Sequence, residues 1–182
     1  MVLSFGLLQS GLFAESEATG VGLGSSTEQN LIDGVGTGLY YLGIYTGAGF
    51  DSAGSGAAGS NVDDHTLQLS ATTLLKSKNV FLLVTVTAAA NGGLNSASTY
   101  LKVETQETGG GGGGWSNLLG LTTLCSGTGT NAAFLGAIEL VKVLTAGELT
   151  KGLDIKITTT STWAANCSAS VTNKNVTIRG SQ

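Results

Sequence analysis

From residue 80 onward, apolar side chains recur at every second position. In VFLLVTVT, Val80, Leu82, Val84 and Val86 form one unbroken apolar face, while Phe81 and Leu83 give way to Thr85 and Thr87 on the other. That alternation predicts a central strand. In TYLKVETQ, Leu101 and Val103 alternate with Lys102 and Glu104; in LDIKIT, Leu153, Ile155 and Ile157 alternate with Asp154 and Lys156. Both predict strands with one dry and one wet face. Asp64–Leu69 and Asn175–Arg179 repeat the pattern more briefly, and GLYYLGIYTG predicts an aromatic-rich strand around Tyr40 to Tyr45. One stretch fits two periods. AAFLGAIELVKVL, Ala132 to Leu144, is long enough for a helix, but Val141, Val143 and the internal Gly136 favour a strand.

Turn-forming clusters separate these runs: Asn91-Gly92-Gly93, Ser126-Gly127-Thr128-Gly129 and Thr145-Ala146-Gly147. Seven or eight strands with little helix predict an all-β, two-sheet sandwich, of which a jelly roll is one arrangement. The chain before about residue 36 differs, with an apolar start followed by the low-complexity stretch Glu15 to Thr27. The expected division is an extended N-terminal arm and lead-in over 1–35 and a β-sandwich domain over 36–182. Six glycines, Gly109 to Gly114, precede Trp115. No Lys-Ser/Thr follows them, so they are not a phosphate loop. Their place between two strands predicts a long hairpin loop at one end of the sandwich, held back by Trp115.

Composition narrows the class. Charged residues make up 11% of the chain and mean hydropathy is +0.25, which is apolar for a free monomer. Proline, a common blunting device on exposed sheet edges, is absent. Both features point to self-association, with a surface solvated by Ser, Thr and Asn as the rival account. The first 75 residues hold seven acids and no base, and the remainder holds eight bases against five acids. With no basic cluster and a pI of about 4.8, nucleic acid is not an expected partner. The longest apolar run, from Val80, is too short and too rich in threonine to cross a bilayer, so no membrane partner is expected either. MVLSFGLLQSGLF lacks the basic n-region of a secretory signal peptide.

Little in the chain suggests catalysis. The single histidine, His65, follows Asp63 and Asp64, but neighbours on a strand point to opposite faces, so a metal or histidine–carboxylate site is disfavoured against a solvated strand entry. No nucleophile elbow, calcium loop or dinucleotide fingerprint is present. The expectation is a non-enzyme with no cofactor and no metal. Cys125 and Cys167 could close one disulfide or remain two buried thiols. The acceptor patterns at Asn166 and Asn175 are too short to indicate glycosylation.

Binding surfaces are better represented. Tyr40, Tyr41, Tyr45, Trp115 and Trp163 could stack on sugars or a partner, or fill the core. The arm residues Val2, Leu3, Phe5, Leu7, Leu8, Leu12 and Phe13, together with Trp115, are the candidate subunit interface. An extended Met1–Phe13 reaches about 40 Å and could add a strand to a neighbour's sheet, or serve as this domain's own first strand. The order of the apolar start, GLYYLGIYTG, DHTLQLSATTLLKSKNVFLLVTVTAAA and the glycine run resembles small β-sandwich virion proteins of tailed bacteriophages, such as head-decoration or tail-fibre components. The likeness is one of texture over residues 1–115 and transfers no individual residue. It implies a non-enzymatic protein made in the host cytoplasm, whose partners are copies of itself and other virion proteins on a capsid or tail. Two other readings remain open: an extracellular filament or adhesin subunit that polymerises by donating its N-terminal strand, and a carbohydrate-binding module with a glycan partner.

Overall fold

A computed structural model describes residues 15–18, 28–31, 39–46, 51–74, 77–110 and 114–181. Among the described residues, eleven strands and two short helices follow in order: β1 (Glu15–Ala18), β2 (Glu28–Leu31), β3 (Leu39–Thr46), β4 (Ser52–Gly56), β5 (Gly59–Leu69), α1 (Ala71–Leu74), β6 (Asn79–Asn91), β7 (Ser96–Glu107), β8 (Ser116–Thr128), β9 (Asn131–Val143), α2 (Ala146–Lys151), β10 (Leu153–Trp163) and β11 (Cys167–Ser181).

The pairings are nested. β7 pairs with β8, β6 with β9, β5 with β10, and β11 with both β3 and β4, all antiparallel. This is the pattern of one long hairpin rolled so that alternate pairs fall in opposite sheets. Lateral pairing of β10 with β7 and of β11 with β6 completes two sheets, ordered β5-β10-β7-β8 and β3-β11-β6-β9. The chain is therefore a jelly roll, the arrangement by which a double sheet wraps one core.

The core comes from the predicted alternation. Val80, Leu82, Val84 and Val86 of β6 are fully buried, as are Leu101 and Val103 of β7, Leu153, Ile155 and Ile157 of β10, and Val171, Val176 and Ile178 of β11. Polar atoms carried into this layer find partners: the Ser52 and Ser161 hydroxyls, both buried, lie 2.9 Å apart. Two devices fix the ends. Gly54 lies so close to the Trp163 ring that a Cβ there would overlap it, and the Trp163 Nε1–H donates to the carbonyl of Ala57 at 2.6 Å. Thr145 and Glu148 form a capping box at the start of α2.

Several expectations shift in detail. Ala132–Leu144 is strand, as β9. Ser126-Gly127-Thr128 belongs to β8, leaving Gly129 and Thr130 as the turn; Thr145-Ala146-Gly147 opens a helix. β5 starts at Gly59, so His65 sits mid-strand opposite the buried Ile157 and not at a strand entry. The glycine run is the β7–β8 connection, with Glu104 opposite Asn117 and Thr105 opposite Ser116. It opens with Gly109 at φ +73°, a conformation that suits glycine. Cys125 and Cys167 are both buried and unbonded to each other. They lie in opposite sheets, where the Cys125 sulfur is 3.1 Å from Thr99 Oγ1 and the Cys167 thiol donates to Gly92 O at 2.8 Å. In the lead-in, β1 and β2 pair antiparallel, Glu15 opposite Leu31, and β2 lies alongside β3. Val2, Leu3, Phe5, Leu7, Leu8, Leu12 and Phe13 lie outside the described residues.

Candidate functional site

Among the described residues, the half-buried residues that pack on the core gather mainly along one flank. β8 is the outer strand of one sheet and β9 of the other, and the Gly129–Thr130 turn joins them, so the two free edges run side by side. On β6, β7, β10 and β11 the inward apolar residues are buried. On β8 and β9 most of the residues that pack on the core, including Leu118, Leu119, Leu124, Phe134, Ile138 and Leu140, stay only half-buried; Cys125 is buried. A side chain on an edge strand has a neighbour on one side alone, and among the described residues no further strand pairs with β8 or β9 on the other.

The outward face of β9 is apolar as well. Leu135 is 81% exposed, Val143 68% and Val141 48%, with Ala133 and Ala137 in the same row. Register places Val141 beside Phe81 and Glu139 beside Leu83 of β6. Phe81, Leu83, Glu139, Thr177 and Arg179 line an open depression of about 230 Å³ on this face. Across β8 and β9 only Glu139 and Lys142 carry charge, and Lys142 Nζ is committed to Glu148 of α2 at 2.9 Å. This thirteen-residue edge has neither proline nor bulge, and Glu139 and Lys142 are its only charges, so it carries few of the devices that blunt an exposed edge.

The outer face of the β5-β10-β7-β8 sheet has the opposite character. Glu104 of β7 is nearly buried and meets two cations, Lys102 Nζ at 2.7 Å and Lys156 Nζ at 3.1 Å. The hydrogen bond from Lys102 holds its carboxyl below the usual carboxylate range; Lys156 adds to this, against the upward push of burial. Lys156 Nζ also sits 4.5 Å from the centroid of the Trp115 ring. Two residues along β10 from Lys156, the Asp154 carboxylate accepts from Gln68 Nε2 at 3.0 Å, Gln106 Nε2 at 3.3 Å and Thr108 Oγ1 at 2.7 Å. These two clusters bracket the start of the glycine loop.

Of the sequence-predicted residues, Trp115 lies against Lys156 of its own sheet. His65 has a polar or ring interaction of its own, and among the described residues no group of three or more His, Cys, Asp and Glu converges as a metal site. No helix among the described residues is long and apolar enough to cross a membrane. The sequence reading missed the half-open flank and the outward row of β9. Their signal was present in Ala132–Leu144, where Leu135, Val141 and Val143 fall on one strand face and Phe134, Ile138 and Leu140 on the other.

No family model and no curated protein matches the chain. Similar solved structures include the module TmCBM61 in complex with β-1,4-galactotriose, at 16% identity over 81% of this chain and 73% of that one, with a TM-score of 0.33. They also include the VP2 subviral particle of infectious bursal disease virus (11% identity, 76% of this chain, 32% of that one, TM-score 0.43). A third is the enzymatically active domain of bacteriophage CBA120 tailspike protein 4 (10% identity, 76% and 18%, TM-score 0.39). The chain spans about a third of the VP2 chain and under a fifth of the tailspike chain. The likeness is one of coarse β-sandwich shape.

Proposed function

We propose that this chain is a non-enzymatic structural protein that works in many copies, joined through the β8–β9 flank, as part of a virion surface such as a phage head or tail. The observation that carries the reading is the half-open flank: among the described residues, the outward apolar row of β9 is exposed and the core-facing residues of β8 and β9 are mostly only half-buried, while the inward apolar residues of β6, β7 and β11 are buried. Burying apolar surface is worth about 25 cal/mol per Å² removed from water, so a flank of this composition is stabilised by any protein surface that covers it. Sparse charge and the absence of proline support the same reading.

The test is oligomeric state by light scattering coupled to size exclusion. The wild-type chain should run as assemblies, and Leu135→Lys with Val143→Lys should give an 18.2 kDa monomer with unchanged circular dichroism. Both side chains are mostly exposed, so the charges cost the monomer little. A wild-type chain that stays monomeric at high concentration overturns the proposal. A glycan-binding reading has one observation in its favour: the polar sheet face that carries Trp115 and Tyr100 among hydrogen-bonding side chains. Glycan titration against Trp115→Ala separates it, since assembly through β9 does not involve that face.

A further inference from the structure

Resting on the glycan-binding reading and independent of how copies assemble, we propose that the outer face of the β5-β10-β7-β8 sheet holds a neutral glycan chain, laid along β7 and β10 between Trp115 and Tyr100. Two aromatic rings mark the ends of this track. Trp115 is half-buried, with Lys156 Nζ 4.5 Å from its ring centroid. Tyr100, also half-buried, faces outward on β7 opposite Thr160 of β10. Lys156 and Thr160 are four residues apart on one strand, which separates the two levels by about 14 Å. A sugar ring has an apolar C–H face and a rim of hydroxyls, so it needs a flat aromatic surface and hydrogen-bonding groups side by side.

The ground between the rings supplies those groups. Thr158 and Thr160 are half-buried and face outward, and among the described residues no hydrogen bond engages their hydroxyls or that of Tyr100. The inward hydroxyl of Ser161 is by contrast committed to Ser52. At the other end the support is fixed: Glu104 holds Lys156 at 3.1 Å and is itself held by Lys102 at 2.7 Å, so the place of the Trp115 ring is set before a ligand arrives and less ordering is left for binding to offset. Charge selects the class of glycan. On these rows Asp64, Lys102, Glu104 and Lys156 are two of each sign, and the last three already pair among themselves. A uronate, a sulfated chain or a nucleic acid gains no net attraction from such a surface, whereas a neutral chain needs none.

The experiment titrates the full chain, by calorimetry and tryptophan fluorescence, with neutral hexasaccharides of cellulose, xylan, mannan and galactan type and with the hexamer of galacturonic acid. At least one neutral chain should bind and shift the fluorescence. Trp115→Ala should raise Kd about tenfold or more, the loss expected of an aromatic anchor, and Trp115→Phe should recover part of it. Thr160→Val, which exchanges an outward hydroxyl for a methyl, should weaken binding with unchanged circular dichroism. Binding of a neutral chain that Trp115→Ala, Tyr100→Ala and Thr160→Val all leave intact overturns the track while the glycan reading stands. Preference for the galacturonic acid hexamer overturns the neutral assignment. Binding of none of the probes overturns both the track and the glycan reading.

Discussion

Replacing Glu104 by Gln removes one charge from between Lys102 and Lys156 and leaves the two ammonium groups facing each other across a neutral amide. The carboxylate side chain is 11% exposed, but the lysines are 32% and 23% exposed, so both pairs are partly screened. Pairs at exposed sites are worth about 0.2–1 kcal/mol each, and fully buried ones cost about 3–5 kcal/mol to break. Two part-exposed pairs place the loss at about 1 kcal/mol, near the sum of two surface values. For a chain of this size that lowers the melting temperature by about 2–4 °C. The pH dependence carries the discriminating information. Glu104 titrates lower in the folded than in the unfolded chain, so the unfolded state binds more protons on the way down and stability rises with pH through that window. The contribution is complete above the unfolded carboxylate value of about 4.3 and is lost as pH falls through the lower folded value. Urea unfolding of wild type and E104Q should therefore differ at pH 7 and converge in acid. Because Lys156 also lies under the Trp115 ring, the near-UV dichroism of the tryptophan should change at neutral pH. An equal stability gap at pH 7 and in acid would refute the electrostatic account and make Glu104 a packing residue only.

Two further outcomes test how the sandwich is closed. Gly54→Ala should destabilise by about 1–3 kcal/mol, the usual cost of overpacking, because the new methyl overlaps the Trp163 ring and strains its bond to Ala57; an unchanged denaturation midpoint would show that the ring moves aside freely. Cys125 and Cys167, buried and unbonded, should be silent to a thiol reagent in the native protein and both react in denaturant, and reaction of either in the folded state counts against their burial.

The sandwich itself was legible because most of its strands have one dry face and one wet one. Val80 to Val86, Leu101 and Val103, and Leu153 to Ile157 alternate cleanly, and each of those residues is buried as the period requires. β4 and β8 were not legible. Ser52–Gly56 has no apolar row, and in SNLLGLTTLCSGT the register slips against β7 break the period, so the outward and inward positions exchange along the strand. The capping box at Thr145 and Glu148 was readable in principle as Thr-x-x-Glu, but the glycine between them read as a turn. The Glu104 and Asp154 clusters depend on the lateral pairing of β7 with β10, a pairing of distant segments that no local pattern specifies.

The segment hardest to assign, Ala132–Leu144, is also the one that carries the proposed function, and the two facts have one cause. A strand inside a sandwich or at a wet edge alternates, because one of its faces meets water. β9 has apolar residues on both faces and so fits neither the strand period nor the helical one cleanly. Such a pattern is stable where both faces are covered, as in a strand packed between two layers. Among the described residues β9 pairs with one strand, β6. Its pattern is that of a strand covered on both faces while its outward residues Leu135, Val141 and Val143 stand exposed, which is why the proposed assembly places the joining surface here.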